Sequence, residues 1–235
     1  MANSVYDNLI SVFERIDRAA RRAGRDPKEV TLLAATKSIE VKKVKEAVSS
    51  GVRVFGENYV QEAAEKINKI KDGSAKWHFI GHLQKNKAKL AVELFDVIES
   101  VDSAELAAEL NKRAQRPITV FIEVNLAREK TKNGVSPDNA VKLAKAISGM
   151  PNLKLTGLMC IPPAVDSPEV VRPYFITLRR LAERINKERF PGVALKELSM
   201  GMSGDFEVAV EEGATIVRVG TAVFGQRAVK KGASK

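Results

Sequence analysis

A lysine stands at the end of a short apolar segment near the start of the chain. Residues 32–36 read Leu-Leu-Ala-Ala-Thr, and Lys37 follows them directly. A lysine amine that has lost its hydration is more readily neutral, and a neutral amine attacks carbonyl carbon atoms. A lysine in this position can also simply project into solvent. No charged residue in the segment would neutralise an ammonium group, so Lys37 is a candidate nucleophile for Schiff-base chemistry.

A second group of residues has the types that bind anions. Ser203 and Gly204 precede a predicted helix, and Gly220 and Thr221 follow a predicted strand. Turns of this kind point backbone N–H groups and hydroxyls toward one anion. The alternative is that Ser203 is only a helix cap and Gly220 only a turn residue. Because the two turns occur at the ends of consecutive strands, together they predict a phosphate site.

Three further polar side chains lie near predicted strand ends. Arg218 lies on the last apolar strand, so it either extends outward to solvent or faces the site with a partner. Asn58 follows the second predicted strand and either caps a helix or faces the site. His82 lies in the loop after the third strand and is a candidate site residue, whereas His78 lies within that strand and is expected to be structural.

The sequence shows no metal-binding or nucleotide-binding motif. Two histidines and one cysteine form no recognised metal pattern, and neither the G-x-G-x-x-G nor the P-loop pattern is present. Cys160 is expected to be a core thiol, because no oriented base accompanies it. Carbonyl chemistry at a lysine therefore remains the main catalytic or binding hypothesis.

These candidate residues occupy the same place in a repeating pattern of strands and helices. Short, continuously apolar segments alternate with amphipathic ones, and we expect strands near residues 30–36, 52–57, 77–81, 96–100, 118–125, 153–160, 195–201 and 215–220. Continuously apolar strands are typical of a parallel sheet covered on both faces. The pattern predicts an α/β fold, a single (β/α)8 TIM barrel, with a doubly wound open sheet as the alternative. In such a barrel the site lies where the strands end.

The chain is expected to form one domain over residues 1–235. Residues 1–24 carry apolar side chains at helical spacing and predict an extra N-terminal helix. No linker rich in glycine, proline or serine divides the chain. The basic segment 227–235 is expected to be flexible.

Capping signals mark several predicted helix starts. Asp102 and Glu105 predict a capping box for the helix that follows them. Ser136 and Ser167, each followed by proline, predict a cap and a first-turn proline.

Composition limits the classes of function. The chain has 39 Lys+Arg against 29 Asp+Glu, a net charge of +10, but the basic residues are interspersed with acidic ones and predict solvated helix faces rather than a specific nucleic-acid site. No apolar stretch approaches the ~20 residues of a membrane span. The N-terminus lacks the apolar segment of a signal peptide, and a single cysteine allows no intrachain disulfide. A cytoplasmic location is expected.

Taken together, six motifs resemble one known family. The segments "AATKS", "FGENYVQE", "WHFIGHLQKNK", "GLMCIPP", "LSMGMSGDFEVAVEEGA" and "VRVGTAVFG" resemble the YggS/PROSC family of pyridoxal phosphate homeostasis proteins, in register over about residues 30–225. The resemblance implies a barrel like the N-terminal domain of bacterial alanine racemase. It also implies that pyridoxal 5′-phosphate (PLP) is the cofactor, bound as a Schiff base.

The resemblance implies a role for each matched residue. Lys37 matches the Schiff-base lysine, and Ser203, Gly220 and Thr221 match the phosphate cradle.

Other positions match the family less uniformly. The resemblance implies that Arg218 faces the pyridine nitrogen and that Asn58 lies near the cofactor, whereas His82 occupies a loop position that varies within the family. The chain departs from the family at Thr36, where serine is usual, and at residues 39–40, where many members have lysine and proline. Neither change removes a group that Schiff-base formation needs.

Two classes of function follow from this resemblance. The first is a non-catalytic protein that buffers PLP or delivers it to PLP-dependent apo-enzymes, acting as a monomer. The second is an amino-acid racemase, which needs bases on both faces of the bound substrate. Alanine racemases take the second base from a tyrosine on another domain, and this chain ends soon after the barrel, with Tyr6, Tyr59 and Tyr174 on predicted helices. We therefore expect the carrier; a Schiff-base aldolase acting on a phosphosugar is a further alternative.

Overall fold

The architecture is that of a closed parallel barrel. A computed structural model describes residues 4–129, 132–165 and 167–226, so the predicted flexible segment 227–235 lies outside the described residues. Within the described part of the chain, eight parallel strands pair in chain order, and the last pairs with the first. The predicted (β/α)8 TIM barrel is confirmed. The strands are β1 Thr31–Ala35, β2 Val54–Glu57, β3 Lys76–Phe79, β4 Val97–Val101, β5 Ile118–Glu123, β6 Leu153–Met159, β7 Glu197–Ser199 and β8 Ile216–Val219.

Helices follow the strands and cover the outside of the barrel. A large apolar core lies between the sheet and these helices, because each helix buries its apolar face against the sheet. The α-helices are α1 Val5–Arg22, α2 Val41–Ser49, α3 Val60–Ile70, α4 Ala88–Leu94, α5 Ala104–Arg113, α6 Pro137–Ser148, α7 Arg172–Lys187, α8 Phe206–Glu211 and α9 Thr221–Phe224. Short 3-10 helices span Pro27–Glu29, Lys85–Lys87 and Pro168–Val171.

The extra N-terminal helix is confirmed as α1, which packs against α8 and α9. Ser4 and Asp7 form a capping box at its start. The Asn8 side chain donates a hydrogen bond to the Val223 carbonyl at 2.9 Å. Arg15 forms an ion pair with Glu207 at 2.8 Å. These contacts fix the segments that follow β7 and β8, where the predicted phosphate residues lie.

The capping predictions are confirmed at Ser136, confirmed in position at Ser167 and wrong at Asp102. Ser136 caps α6, with Pro137 as its first residue. The predicted capping box at Asp102 is wrong, because Ser103 is the cap of α5 and its hydroxyl accepts a hydrogen bond from the Leu106 N–H at 3.2 Å. Ser167 is the N-cap residue of the 3-10 helix Pro168–Val171, with Pro168 in its first turn, although its side chain makes no capping hydrogen bond; α7 begins later, at Arg172.

A smaller apolar cluster is separate from the main core. It consists of Leu33, Ile80, Phe121 and Ile216, packed with half-buried Ala35, Val54 and Val97. These residues lie on strands around the barrel or, for Ile80, directly after β3, so the cluster fills the barrel interior.

Buried polar residues lie one step further toward the carboxyl ends of the strands. Arg218 follows Ile216 by two residues, and Glu123 follows Phe121 by two. Alternate residues of a strand face the same side of a sheet, so these charged side chains also line the barrel interior. Both are buried. The interior is therefore apolar below and polar at the end where the site is expected.

Candidate functional site

The pairing of β1 with β8 brings the two main sequence candidates together. Leu33 pairs with Arg218, and Ala34 pairs with Val219. The chain therefore leaves both strands at the same point on the rim. Lys37 follows one strand end, and Gly220 and Thr221 follow the other. The predicted nucleophile and part of the predicted phosphate cradle thus lie at neighbouring strand ends.

Lys37 lies in a tight turn at the end of β1. The Ile39 N–H donates to the Thr36 carbonyl at 2.9 Å, so Lys37 and Ser38 are the two central residues. Ser38 has a φ of +58°, a value that residues other than glycine rarely adopt. Lys37 is half-buried, and its Nζ lies 5.3 Å from the centre of the Tyr59 ring. The amine is therefore neither in the core nor free in solvent.

Ser203 connects the loops after β7 and β8. Its Oγ accepts hydrogen bonds from the Gly220 N–H at 3.3 Å and the Ala222 N–H at 3.2 Å. Ser203 is not the cap of α8, which begins at Phe206 and has Asp205 at its cap position. The helix-cap alternative for Ser203 is therefore wrong. The exposed Thr221 begins the single-turn helix α9 beside this junction.

Arg218 faces the barrel interior and has partners there. Its guanidinium donates to the Ser199 hydroxyl and to the Cys160 carbonyl, each at 2.8 Å. The Cys160 thiol is buried, and burial raises its pKa to about 12, so it is not a nucleophile at neutral pH. Two hydrogen bonds in a fixed fork therefore orient the guanidinium.

A buried hydrogen-bond chain extends from Arg218 across the barrel. The Ser199 hydroxyl donates to Glu99 Oε2 at 2.5 Å, and Glu99 Oε1 lies 2.6 Å from His78 Nδ1. His78 is buried against this carboxylate, as expected for a structural histidine. The sequence analysis missed Glu99 and Ser199, although each is a polar residue within an otherwise apolar strand, which is a usable signal.

Glu123 adds a second interior carboxyl group. Burial raises its pKa to about 7, and the nearby negative charge of Asp102 adds to this effect, while Arg218 opposes it. The sequence analysis missed this residue. Its carboxyl group can therefore exist in either protonation state near neutral pH.

Asp102 lies at the rim and contacts His82. His82 Nδ1 lies 3.6 Å from Asp102 Oδ2, and about half of the His82 side chain is exposed. Burial raises the pKa of Asp102, and His82 partly offsets this rise. The contact that the described residues give His82 is thus with Asp102 and not with Lys37 or Arg218.

Asn58 and His82 share a cavity beside the barrel mouth. It has a volume of about 390 Å³, and its lining includes Tyr59, Gly81 and Lys87. Tyr59 lines this cavity, and its ring also contacts the Lys37 ammonium group. A Cβ atom at position 81 would clash with the Asn58 carbonyl oxygen, so glycine at this position lets the Asn58 backbone approach closely.

Other classes of site are not seen in the described residues. Among residues 4–129, 132–165 and 167–226, no cluster of three or more His, Cys, Asp or Glu side chains could hold a metal ion. Over the same ranges, no helix has both the length and the apolar character to cross a membrane.

Comparison with known proteins identifies the family. Residues 8–228 match the family model for the alanine racemase N-terminal domain. A pyridoxal phosphate homeostasis protein of Aquifex aeolicus is 47% identical over 224 residues, covering 94% of this chain and 97% of its own length.

Solved structures agree with this result. A crystal structure of an unknown protein from Bifidobacterium adolescentis has a TM-score of 0.89 and 37% identity, and covers 94% of each chain. The structure of PipY from Synechococcus elongatus with PLP bound has a TM-score of 0.82 and 35% identity, and covers 94% of this chain and 100% of PipY. The chain therefore belongs to the alanine racemase N-terminal domain family and, within it, to the pyridoxal phosphate homeostasis proteins.

Proposed function

We propose that this protein binds PLP, holds it as a Schiff base on Lys37, and buffers or delivers it in the cell. The observation that carries the proposal is the position of Lys37 beside the Ser203–Gly220 junction, across the seam between β1 and β8. The PLP-bound structure of PipY supports the choice of cofactor. The name of the Aquifex aeolicus relative supports a role in homeostasis.

The donors at the rim fit a phosphorylated pyridine aldehyde. Ser203, Thr221 and the Gly220 N–H supply hydrogen-bond donors for a phosphate, and α1 holds their loops in place through Asn8. Lys37 supplies the amine. When bound, PLP supplies an aldehyde that condenses with an amine to give a Schiff base and water. Asn58 and His82 line the cavity next to Tyr59, and we propose that they lie near the cofactor without touching its reactive carbon.

The environment of Arg218 favours a role in storing PLP rather than in catalysis. Its guanidinium is permanently charged, and two hydrogen bonds fix it inside the barrel. A fixed positive charge beside a pyridine nitrogen disfavours protonation of that nitrogen. An unprotonated ring is a weaker electron sink, so carbanion chemistry receives less assistance. We therefore propose that efficient catalysis is not part of the function.

The proposed partners are PLP-dependent apo-enzymes, which would receive the cofactor. We propose that the protein acts as a monomer, because Lys37, Ser203, Arg218 and Thr221 all come from one barrel. The chain has a single cysteine, and its thiol is free and buried, which supports the cytoplasm as the proposed compartment, since reducing compartments keep thiols free.

Borohydride trapping tests the proposal. PLP-loaded protein is reduced and digested after glutamate, which releases residues 30–40 as a peptide with one lysine. We expect the pyridoxyl mass on this peptide. Lys37→Ala should lose both the adduct and the visible absorbance of the Schiff base, whereas Lys42→Ala, an exposed lysine on α2, should keep both. A pyridoxyl group found mainly on another lysine would contradict the assignment.

A further inference from the structure

A buried lysine lies directly beneath the turn that carries Lys37. Lys66 projects from α3, is 4% exposed, and directs its ammonium group at three oxygen atoms. It donates to Glu57 Oε1 at 2.7 Å, to Glu62 Oε1 at 2.6 Å and to the Thr36 carbonyl at 2.5 Å. All three ammonium donors are therefore used.

Glu57 connects this lysine to β1. Its Oε1 also accepts a hydrogen bond from the Thr36 hydroxyl at 2.6 Å. Its Oε2 is buried and has no hydrogen-bond partner among the described residues. Burial raises the pKa of Glu57, although Lys66 and Thr36 oppose this rise. A buried carboxyl group with one unpartnered oxygen is costly for stability, which suggests that the arrangement serves another purpose.

The cluster holds the peptide groups on both sides of Lys37. Lys66 binds the Thr36 carbonyl on one side, and Glu62 Oε1 accepts from the Ser38 N–H at 2.6 Å on the other. Ser38 has a φ of +58°, a strained conformation for a residue with a Cβ atom. The surroundings must hold such a residue in place, and Glu62 bonds to it directly.

We propose that Lys66, Glu57 and Glu62 form a positioning unit that fixes the Lys37 turn so that the amine meets the cofactor aldehyde. This inference rests on the proposed function. The three residues add no bond-making step, because the reaction at Lys37 is still the condensation of its amine with an aldehyde and the release of one water. Their contribution is to hold the backbone of Lys37 in one orientation.

A purely structural role for the same cluster makes a different prediction. If the cluster only joins α3 to β2, its loss should weaken stability and every form of ligand binding together. A positioning unit should affect covalent attachment much more than noncovalent binding. Pyridoxine 5′-phosphate measures noncovalent binding alone, because it carries the phosphate and the ring but has an alcohol in place of the aldehyde.

Glu62→Ala is the main test, because Glu62 is the most exposed member, with 27% of its side chain accessible, and the variant should fold. The rate of adduct formation on the 30–40 peptide is measured by quenching PLP-treated apo-protein with borohydride at timed intervals. We expect this rate to fall about tenfold or more, since small misplacements of a reacting group have effects of this size. Affinity for pyridoxine 5′-phosphate should change by less than about twofold, since the phosphate donors are untouched. Glu65→Ala, an exposed glutamate on the same helix, is the matched control.

Rescue by glycine tests the part played by the turn. Ser38→Gly in the Glu62→Ala background should restore much of the rate, because glycine adopts a positive φ without strain. The charge-balanced pair Lys66→Met with Glu57→Gln should show the same defect as Glu62→Ala; if this pair does not fold, the Glu62→Ala variants decide.

The outcomes separate this inference from the proposed function. An unchanged rate in Glu62→Ala, equal losses of rate and of pyridoxine 5′-phosphate affinity, or no rescue by Ser38→Gly would overturn the positioning unit. Failure of the unaltered protein to form any adduct on the 30–40 peptide would instead overturn the proposed function.

Discussion

Leu33 lies opposite Arg218 where β1 pairs with β8, and this pairing closes the barrel. The pairing of β1 with β8 therefore determines the position of both the Arg218 guanidinium and the turn that contains Lys37. Four residues after Leu33 the chain reaches Lys37, and two residues after Arg218 it reaches Gly220. Residues nearly 200 positions apart in sequence thus form one proposed site within one barrel.

The phosphate cradle should distinguish PLP from pyridoxal. In the double variant Ser203→Ala with Thr221→Ala, PLP affinity should fall at least about tenfold, because each charge-assisted hydrogen bond contributes roughly 1.5–3 kcal/mol. Pyridoxal affinity should change much less, since it has no phosphate. Titration of apo-protein with each ligand measures both.

A matched double variant controls for general effects of losing two hydroxyls. Ser148 and Thr177 make local hydrogen bonds on the outer helices α6 and α7, so replacing both with alanine should leave both affinities unchanged. Equal losses of affinity for PLP and pyridoxal in the Ser203 and Thr221 double variant would show that the phosphate binds elsewhere.

Racemisation of free alanine or serine should be absent or marginal. Within the described residues, Tyr59 is the tyrosine in contact with Lys37, and the two lie together on one part of the rim, after the adjacent strands β1 and β2. Racemisation needs acid–base groups on opposite faces. Chiral chromatography of one enantiomer incubated with purified protein is the measurement. Robust turnover that is lost in both Lys37→Ala and Tyr59→Phe would refute the carrier proposal.

The sequence predicted the barrel because its signals are local. Continuously apolar strands, such as the one that contains Val120 and Ile122, alternate with helices, and this pattern alone favours a parallel barrel. The sequence also singled out Lys37 and Arg218 as candidates, since Lys37 follows an apolar strand and Arg218 interrupts one. Ser203 could be singled out from its local sequence, but its hydrogen bond with the Gly220 N–H appears only when the strands close into a barrel.

The residues that were missed depend on three-dimensional contacts. Lys66 stands among other charged residues on α3 and looks like part of a solvated face, yet it is buried and binds the Thr36 carbonyl and Glu57. Only the closed sheet connects Glu99 to Arg218 through Ser199 and brings the charge of Arg218 close to Glu123. The cap at Ser103 was misassigned by one residue, because serine and aspartate are nearly equivalent as caps.

Gly81→Ala should disturb the backbone of Asn58. A Cβ atom at position 81 would lie 2.3 Å from the Asn58 carbonyl oxygen and 2.7 Å from its Cα, and backbone atoms cannot easily give way. We expect a loss of about 1–3 kcal/mol in the free energy of unfolding, as for other overpacked sites. Urea unfolding measures it. Gly73→Ala is the control, because a Cβ atom there meets nothing within 4 Å. Equal stability of the two variants would show that the loop after β3 adjusts freely.

Glu123 should make the apo-protein less stable as the pH rises toward neutrality. Its pKa is about 7 in the folded protein against 4.5 for an ordinary glutamate, mainly because of burial. Between these two values the folded state binds more protons than the unfolded state, so stability falls with increasing pH. The full difference corresponds to about 3 kcal/mol, developed between about pH 4.5 and about pH 7 and constant above it. Glu123→Gln cannot lose a proton and should lack this contribution.

The difference between the two proteins isolates this residue. Glu57, Asp102 and Asp205 also have raised pKa values, but they titrate in both proteins. Urea unfolding from about pH 5 to about pH 8 should therefore show the variant gaining stability relative to the parent as the pH rises. Glu93→Gln, which replaces an exposed carboxylate on α4, should run parallel to the parent at every pH. If Glu123→Gln also runs parallel, the carboxyl group of Glu123 does not carry its proton into the neutral range, and the polar end of the barrel is more hydrated than its burial implies.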